Sequence, residues 1–139
     1  MSAAARYSGG WKENALPPRP YSSRELIQEM GRYLDDGAAK AESIVQTAYQ
    51  NGVPIFCPAF SDCSAGLGMV THYHHRGDLP KTSFDSAKDF YELTQIKIHN
   101  PNTGLFIIGG GVPKNFTQDM VVAADILGHN APMHKYAIQ

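Results

Sequence analysis

Two short stretches carry the groups most suited to holding a ligand. Ser61-Asp62-Cys63-Ser64 follows an apolar run and puts a carboxylate, a thiol and two hydroxyls side by side. Gly109-Gly110-Gly111 follows another apolar run and leads through Val112-Pro113-Lys114 to Asn115 and Asp119. Glycine lets backbone approach a ligand closely, and a following helix offers free amides and the positive end of its dipole. An anionic cofactor is the natural occupant of such a turn. The spacing is neither the G-x-G-x-x-G of a dinucleotide fold nor a P-loop with its lysine and hydroxyl. Three glycines that only turn a strand into a helix fit the same pattern. Asp62 has two readings as well. It caps the next helix by accepting its first amides, or it grips ribose hydroxyls or a substrate amine.

His72 and His75 stand three apart, so on a helix they share a face, with His74 beside them. Zinc would need more ligands, and neither Cys57 nor Cys63 has a C-x-x-C partner, so no metal site is expected. Cys57, inside an apolar run, reads as a small buried hydrophobe. Cys63, at a helix start, is expected to be structural too.

These groups need elements to position them. Met1 to about Tyr21, with Gly9-Gly10, Pro17-Pro18 and Pro20, reads as an arm or linker whose large apolar groups are Tyr7 and Trp11. Residues 22–139 read as one domain. Ser22 and Glu25 have capping-box spacing ahead of Leu26, Ile27, Met30, Tyr33 and Leu34, and Gly37 is the expected stop. A second helix is expected from about Ala38 to Gln50, with Ile44, Val45, Ala48 and Tyr49 facing inward.

Val53-Pro54-Ile55-Phe56-Cys57 reads as a buried parallel strand, and Ser64 to about His74 as a helix of small residues. Thr82 and Asp85 mark a helix start, with Phe84, Ala87, Phe90, Tyr91 and Leu93 as its apolar face. Thr103 to Ile108 is the clearest strand and runs into the glycines. Pro113 then stands where a first helical residue belongs, and the helix carries Phe116, Met120, Val121, Ala124 and Leu127 before Gly128 ends it. Tyr136 to Gln139 is a last strand. Alternating strands and helices give right-handed crossovers, so the expected fold is α/β. Its form would be a Rossmann-like three-layer sandwich with a parallel sheet, and incomplete.

Composition limits the rest. The 139 residues fit one domain, and 42% hydrophobic with 18% charged residues supply a packed core. A net charge of −1 argues against a protein that binds chiefly by neutralising phosphates, so no nucleic-acid partner is expected. Two cysteines suit a reducing compartment. No run approaches the ~20 apolar residues of a membrane span, and the N-terminus lacks a secretory signal. A cytoplasmic domain without a membrane role follows.

From about Gly52 onward the sequence resembles the deoxyhypusine synthase family. The carriers are Val53-Pro54-Ile55-Phe56-Cys57-Pro58-Ala59-Phe60-Ser61-Asp62 and Thr103-Gly104-Leu105-Phe106-Ile107-Ile108-Gly109-Gly110-Gly111-Val112-Pro113-Lys114-Asn115. Phe84-Asp85-Ser86-Ala87-Lys88-Asp89-Phe90 fits the family's bacterial branch. The resemblance implies an NAD-dependent oligomer with active sites between paired subunits. NAD oxidises spermidine by taking a hydride, and the 4-aminobutyl group passes through an enzyme-lysine imine to an amine acceptor. In deoxyhypusine synthases that acceptor is a protein lysine, and in related homospermidine synthases it is putrescine.

By position, Asp62 matches a family carboxylate at the NAD site, with Ser64 beside it, and Gly109, Gly110 and Gly111 match the glycines under the cofactor. Asn115 and Asp119 fall at substrate-side positions where eukaryotic and archaeal members have a histidine and an asparagine. Leu67 falls where those members have an amine-binding aspartate, a loss that Asp119 partly replaces by hypothesis. The family's imine-forming lysine belongs to a segment beyond the strand matching Tyr136 to Gln139, and Lys114 and Lys135 do not match it. No catalytic residue is therefore expected in this chain. The family's first NAD contacts, before about Ser22, are likewise expected to be missing.

The expected function is a deoxyhypusine synthase-like transferase present as a fragment or as part of a split enzyme. Its partners would be spermidine or another polyamine, and a like or different chain supplying the missing segment. Alternatives are a non-catalytic subunit that assembles with a full-length relative, a homospermidine synthase, or a nucleotide-binding module unrelated to polyamines.

Overall fold

The computed structural model describes residues 16–38 and 43–139. Tyr7 and Trp11 of the expected arm, and residues 39–42 of the expected second helix, lie outside the described residues. The chain is mixed α/β, with short parallel strands and five α-helices among the described residues.

Strand β1 (Pro20–Tyr21) leads into α1 (Ser23–Tyr33). The capping box forms as its spacing requires: the Glu25 amide donates to Ser22 Oγ at 3.2 Å, and the Ser22 amide to the Glu25 carboxylate at 3.0 Å. A π-type turn at Leu34–Ala38 follows, and Gly37 breaks it at φ 99°, the left-handed region that glycine occupies without strain. Ser43 caps α2 (Ile44–Gln50). Gly31 lets α1 and α2 cross closely, since a Cβ there would sit 2.5 Å from Tyr49 Cβ. Val45, Ala48 and Tyr49 are half-buried, but Ile44 faces solvent as the residue after the cap.

Val53–Cys57 departs from expectation. It is not a strand among the described residues, and Val53 and Pro54 are exposed. The backbone explains why. The Val53 amide donates to Ala48 O at 2.9 Å, Pro54 has no amide, and the Cys57 amide donates to Ser23 Oγ at 2.8 Å. Both ends are thus bound elsewhere, and no ladder forms between them.

A short 3₁₀ turn (Phe60–Asp62) precedes α3 (Ser64–Arg76). Strand β2 (Ser83–Phe84) pairs in parallel with β1, Tyr21 opposite Phe84. Helix α4 (Ser86–His99) starts at its cap Asp85, whose carboxylate accepts from the Lys88 amide at 2.9 Å. Strand β3 (Gly104–Phe106) runs through the glycine turn into α5 (Val112–Ile126), and β4 (Tyr136–Ile138) pairs in parallel with β3. Pro113 is the second helical residue rather than the first. Gly128, at φ 83°, follows the helix end.

The expected parallel pairing is present, but the described strands make two separate pairs, β1 with β2 and β3 with β4, not one covered sheet. The core is built where β1, α1 and the 3₁₀ turn meet: Tyr21, Leu26 and Phe60 are buried, and Leu16, Ile27 and Phe84 pack on them. Each such side chain contributes about 1.5–3 kcal/mol on burial. The last residues of the expected arm, Leu16 to Tyr21, therefore belong to the packed body. Helices α4 and α5 pack together with Leu93, Met120, Val121 and Ala124 buried, and the Phe90 and Phe116 rings stand 4.9 Å apart. No helix is long and apolar enough to cross a membrane among the described residues.

Candidate functional site

The apolar stripe read on α4 is rotated in the structure: Ala87 and Tyr91 are exposed, while Asp89, Leu93 and Lys97 are buried one helical turn apart. Asp89 is wholly buried because it caps α1 from another helix. Its carboxylate accepts the Ser23 hydroxyl at 2.7–2.8 Å and the Arg24 amide at 3.3 Å. With the capping box, this supplies acceptors to the amides that open α1. Burial pushes the Asp89 carboxyl upward, and the Ser23 and Arg24 donors oppose it.

Around that buried centre lies a ring of ion pairs. Arg24 meets Glu92 at 2.8 Å, Lys88 meets Glu25 at 2.7 Å, and Arg19 meets Glu25 at 3.2 Å. Partial burial raises Glu25, yet Arg19, Lys88 and the Ser22 amide outweigh it and hold the carboxyl at about 2. This cluster holds α1, α4 and the Cys57 backbone together, and so fixes where the turn carrying Asp62 begins.

Asp62 ends the 3₁₀ turn and is exposed, and its carboxylate takes no hydrogen bond among the described residues. The capping alternative fails here. The cap position of α3 belongs to Cys63, with no side-chain cap bond. Ser64 is the exposed first residue of α3. Gly66 seats the helix on the turn, since a Cβ there would overlap the Phe60 carbonyl oxygen and meet Ser61 O at 2.6 Å. Sequence reading missed Gly66; the small residue two places after a helix start was its signal.

The second group is the glycine turn. Gly109 and Gly111 take φ values of 90° and 89°, which L side chains rarely adopt, and Gly111 is the N-cap of α5. A Cβ built on Gly109, Gly110 or Gly111 meets nothing within 4 Å. The turn is therefore open to a ligand's approach. No side chain caps α5, and no acidic residue stands in its first turn, so the dipole end is free for an anion. Asn115 and Asp119 are both exposed and one turn apart on α5.

The strand feeding the turn is anchored from below. Lys97, wholly buried, donates to Pro101 O at 3.0 Å and to Thr103 Oγ1 at 2.8 Å. Thr103 Oγ1 lies 2.8 Å from His134 Nδ1, and His134 Nε2 lies 3.2 Å from Thr117 O. This chain ties the end of α4, the start of β3, the segment before β4 and α5 to one another. The ladder continues past β3, where the Ile107 amide donates to Ile138 O at 2.8 Å.

The structure thus places Gly109, Gly110, Gly111 and Asn115 at the start of α5 with Asp119 one turn further along the helix, and Asp62 and Ser64 at the start of α3. No hydrogen bond joins the two groups among the described residues. The histidines do not converge: His72 Nε2 accepts the Thr82 amide at 3.1 Å, while His74 and His75 are exposed. Burial, then the charges of Arg76 and Lys81, lower the His72 pKa below 6.5. No group of three potential metal ligands assembles among the described residues.

An α/β chain with short parallel strands and an open glycine turn at a helix start is the class these features define. The chain belongs to the deoxyhypusine synthase family, whose model matches residues 7–139. It is 61% identical over 127 residues to a deoxyhypusine synthase-like protein of Chlorobaculum tepidum, covering 91% of this chain and 36% of that protein. Against a deoxyhypusine synthase-like protein of Elusimicrobium minutum it is 59% identical over 126 residues, 91% of this chain and 33% of the relative. A probable deoxyhypusine synthase 2 of Methanosarcina mazei is 48% identical over 118 residues, with 85% and 33% covered. The chain thus spans about a third of the length of these relatives. The match begins well before Gly52, so family likeness reaches into the segment read as an arm.

Proposed function

We propose that this chain supplies the cofactor floor of a deoxyhypusine synthase-like transferase that moves the 4-aminobutyl group of spermidine to an amine acceptor. The acceptor is a protein lysine or another polyamine. When bound, NAD would supply the hydride acceptor for oxidising the amine. Gly109, Gly110 and Gly111 would lie beneath it, with Asp62 and Ser64 as its polar contacts. Asn115 and Asp119 would face the amine, Asp119 contributing the charge that Leu67 does not. Leu67 is half-exposed on α3, so the two positions belong to different helices. No residue of this chain is proposed as the nucleophile, and assembly with a like or partner chain is part of the reading, as is a cytoplasmic setting.

One observation carries the proposal: the glycine turn is open above all three residues and runs into a helix whose amides have no cap. The test is Asp62→Asn with NAD titrated onto the chain. Because the carboxylate caps nothing, stability should move by no more than about 0.5 kcal/mol, while NAD affinity falls. Equal losses of stability and affinity, or no change in affinity, would reject Asp62 as a cofactor contact.

A further inference from the structure

His134 stands between two groups whose hydrogen-bonding roles are fixed, and together they assign its proton. On one side is Lys97, wholly buried, whose ammonium has three protons and no lone pair. It donates to Pro101 O at 3.0 Å and to Thr103 Oγ1 at 2.8 Å. Thr103 Oγ1 accepts from Lys97 and so keeps its own proton for the atom 2.8 Å away, His134 Nδ1. On the other side Thr117 O is a carbonyl and only accepts, so His134 Nε2, 3.2 Å from it, carries the hydrogen. Both ends require the same neutral tautomer, with hydrogen on Nε2 and a lone pair on Nδ1. Thr117 passes the tie on: its hydroxyl donates to Pro113 O at 2.8 Å, in the first turn of α5 just past Gly111. The backbone beside His134 is held as well, since the Lys135 amide donates to Thr103 O at 2.8 Å. Four bonds thus run donor to acceptor in one direction, from the end of α4 to the residues that follow the glycine turn.

We propose that His134 is a positioning residue for the glycine turn: as the Nε2–H tautomer it holds the first turns of α5 against β3, and so fixes the uncapped amides that would face the cofactor's anionic group. The ligand named here rests on the cofactor reading of the glycine turn, whereas the tie itself rests on the four bonds. His134 meets α5 through Nε2 and Thr103 through Nδ1, so substitution can separate the two. Glutamine carries its amide group where Nε2 lies and keeps the donor to Thr117 O. Asparagine carries its amide near Nδ1 and keeps the side that faces Thr103. A residue that merely filled space between α5 and the approach to β4 would not distinguish the two replacements. His134 is half-buried, so both are tolerated by the fold.

The test begins with the nitrogens. The chain is prepared with isotope-labelled histidine and read by NMR, His134 being assigned by the signals lost in His134→Gln. At neutral pH Nε2 should resonate as a protonated, pyrrole-type nitrogen and Nδ1 as a bare, pyridine-type one. Hydrogen on Nδ1, alone or together with Nε2, would overturn the proposal. Amide hydrogen exchange at Asn115 to Met120 should quicken about two- to tenfold in His134→Asn, the span to which one net hydrogen bond converts. In His134→Gln it should stay at the parent rate. Equal exchange in the two variants, each checked for folding by circular dichroism, would also overturn the proposal. NAD is then titrated onto all three chains. His134→Gln should bind as the parent does, and His134→Asn should lose affinity by a factor similar to its gain in exchange. Affinity unmoved by His134→Asn would overturn the positioning role. A parent that binds no NAD would instead reject the cofactor reading, and the nitrogens and the exchange rates decide the tie without it.

Discussion

Alanine at Gly110 and at Gly111 distinguishes a ligand floor from a turn, because the structure gives the two positions different backbones. Gly111 sits at φ 89° and ψ −146°, a region essentially reserved to glycine, where an L side chain is strained by about 1–3 kcal/mol. Gly111→Ala should therefore lower the midpoint of thermal unfolding by about 4–8 °C. Gly110 is not in the left-handed region, and its added Cβ meets nothing within 4 Å. Gly110→Ala should leave stability unchanged or raise it by about 0.4–1 kcal/mol, by restricting the unfolded chain. Each variant nonetheless adds a methyl group to unobstructed space at the turn. If NAD lies there, both should lose affinity, by about tenfold for each 1.4 kcal/mol of lost contact. The assay pairs differential scanning calorimetry with equilibrium titration of NAD onto the chain. Gly110→Ala that binds NAD as well as the parent would refute the floor, whatever Gly111→Ala does. A Gly110→Ala that unfolds like Gly111→Ala would refute the backbone argument itself.

Three further outcomes follow from the cluster at the start of α1 and from α3. Asp89→Ala leaves the Ser23 hydroxyl and the Arg24 amide without their acceptor, at about 1–3 kcal/mol for each buried group; urea unfolding should show a loss near 3 kcal/mol, and a loss under about 1 kcal/mol would contradict the capping role. Glu25, held at about 2 against an ordinary 4.5, contributes stability that is complete above pH 4.5 and is lost as pH falls toward 2; in Glu25→Gln that part of the acid dependence should vanish from the pH profile of unfolding. His72 titrates below its ordinary 6.5, so the stability of its neutral form is present above that value and is lost as pH falls through the lowered pKa; proton NMR should find the lowered midpoint, and His72→Phe should abolish the bond to the Thr82 amide.

Local signals in this sequence were reliable where one residue decides one backbone feature. Ser22 with Glu25, Gly37 and Gly128 each sit where capping and left-handed geometry demanded, because those requirements are satisfied within a few residues, whereas the Thr82–Asp85 start fell three residues later, with Asp85 itself as the cap. Val53 to Cys57 failed for the opposite reason. A short apolar run reads as a strand only if a partner accepts its amides, and the partners of this run are Ala48 O and Ser23 Oγ. The α4 stripe failed likewise. Asp89 and Lys97 flank Leu93 at helical spacing, and a carboxylate and an ammonium at those positions count as surface unless distant donors and acceptors are known. The Ser23 hydroxyl, the Pro101 carbonyl and the Thr103 hydroxyl make their burial possible, and no periodicity reports them.

The site was legible in the same proportion. Glycine at 109 and 111 is required by φ, so a turn alone explains both; Gly110 is the informative residue, because nothing in its backbone demands glycine and nothing nearby would obstruct a side chain. If NAD binds as proposed, Gly110 is the position where a ligand role and a turn role predict different outcomes, and a string of three letters does not show which glycine is unforced. Asp62 became more informative for a similar reason: its carboxylate is exposed and takes no bond among the described residues, which removes the structural role that sequence alone kept open. Under the proposed function, the groups that would hold the ligand are the ones that do no structural work. By that measure Gly110 and Asp62 are the residues whose substitution should change binding most for the least change in stability.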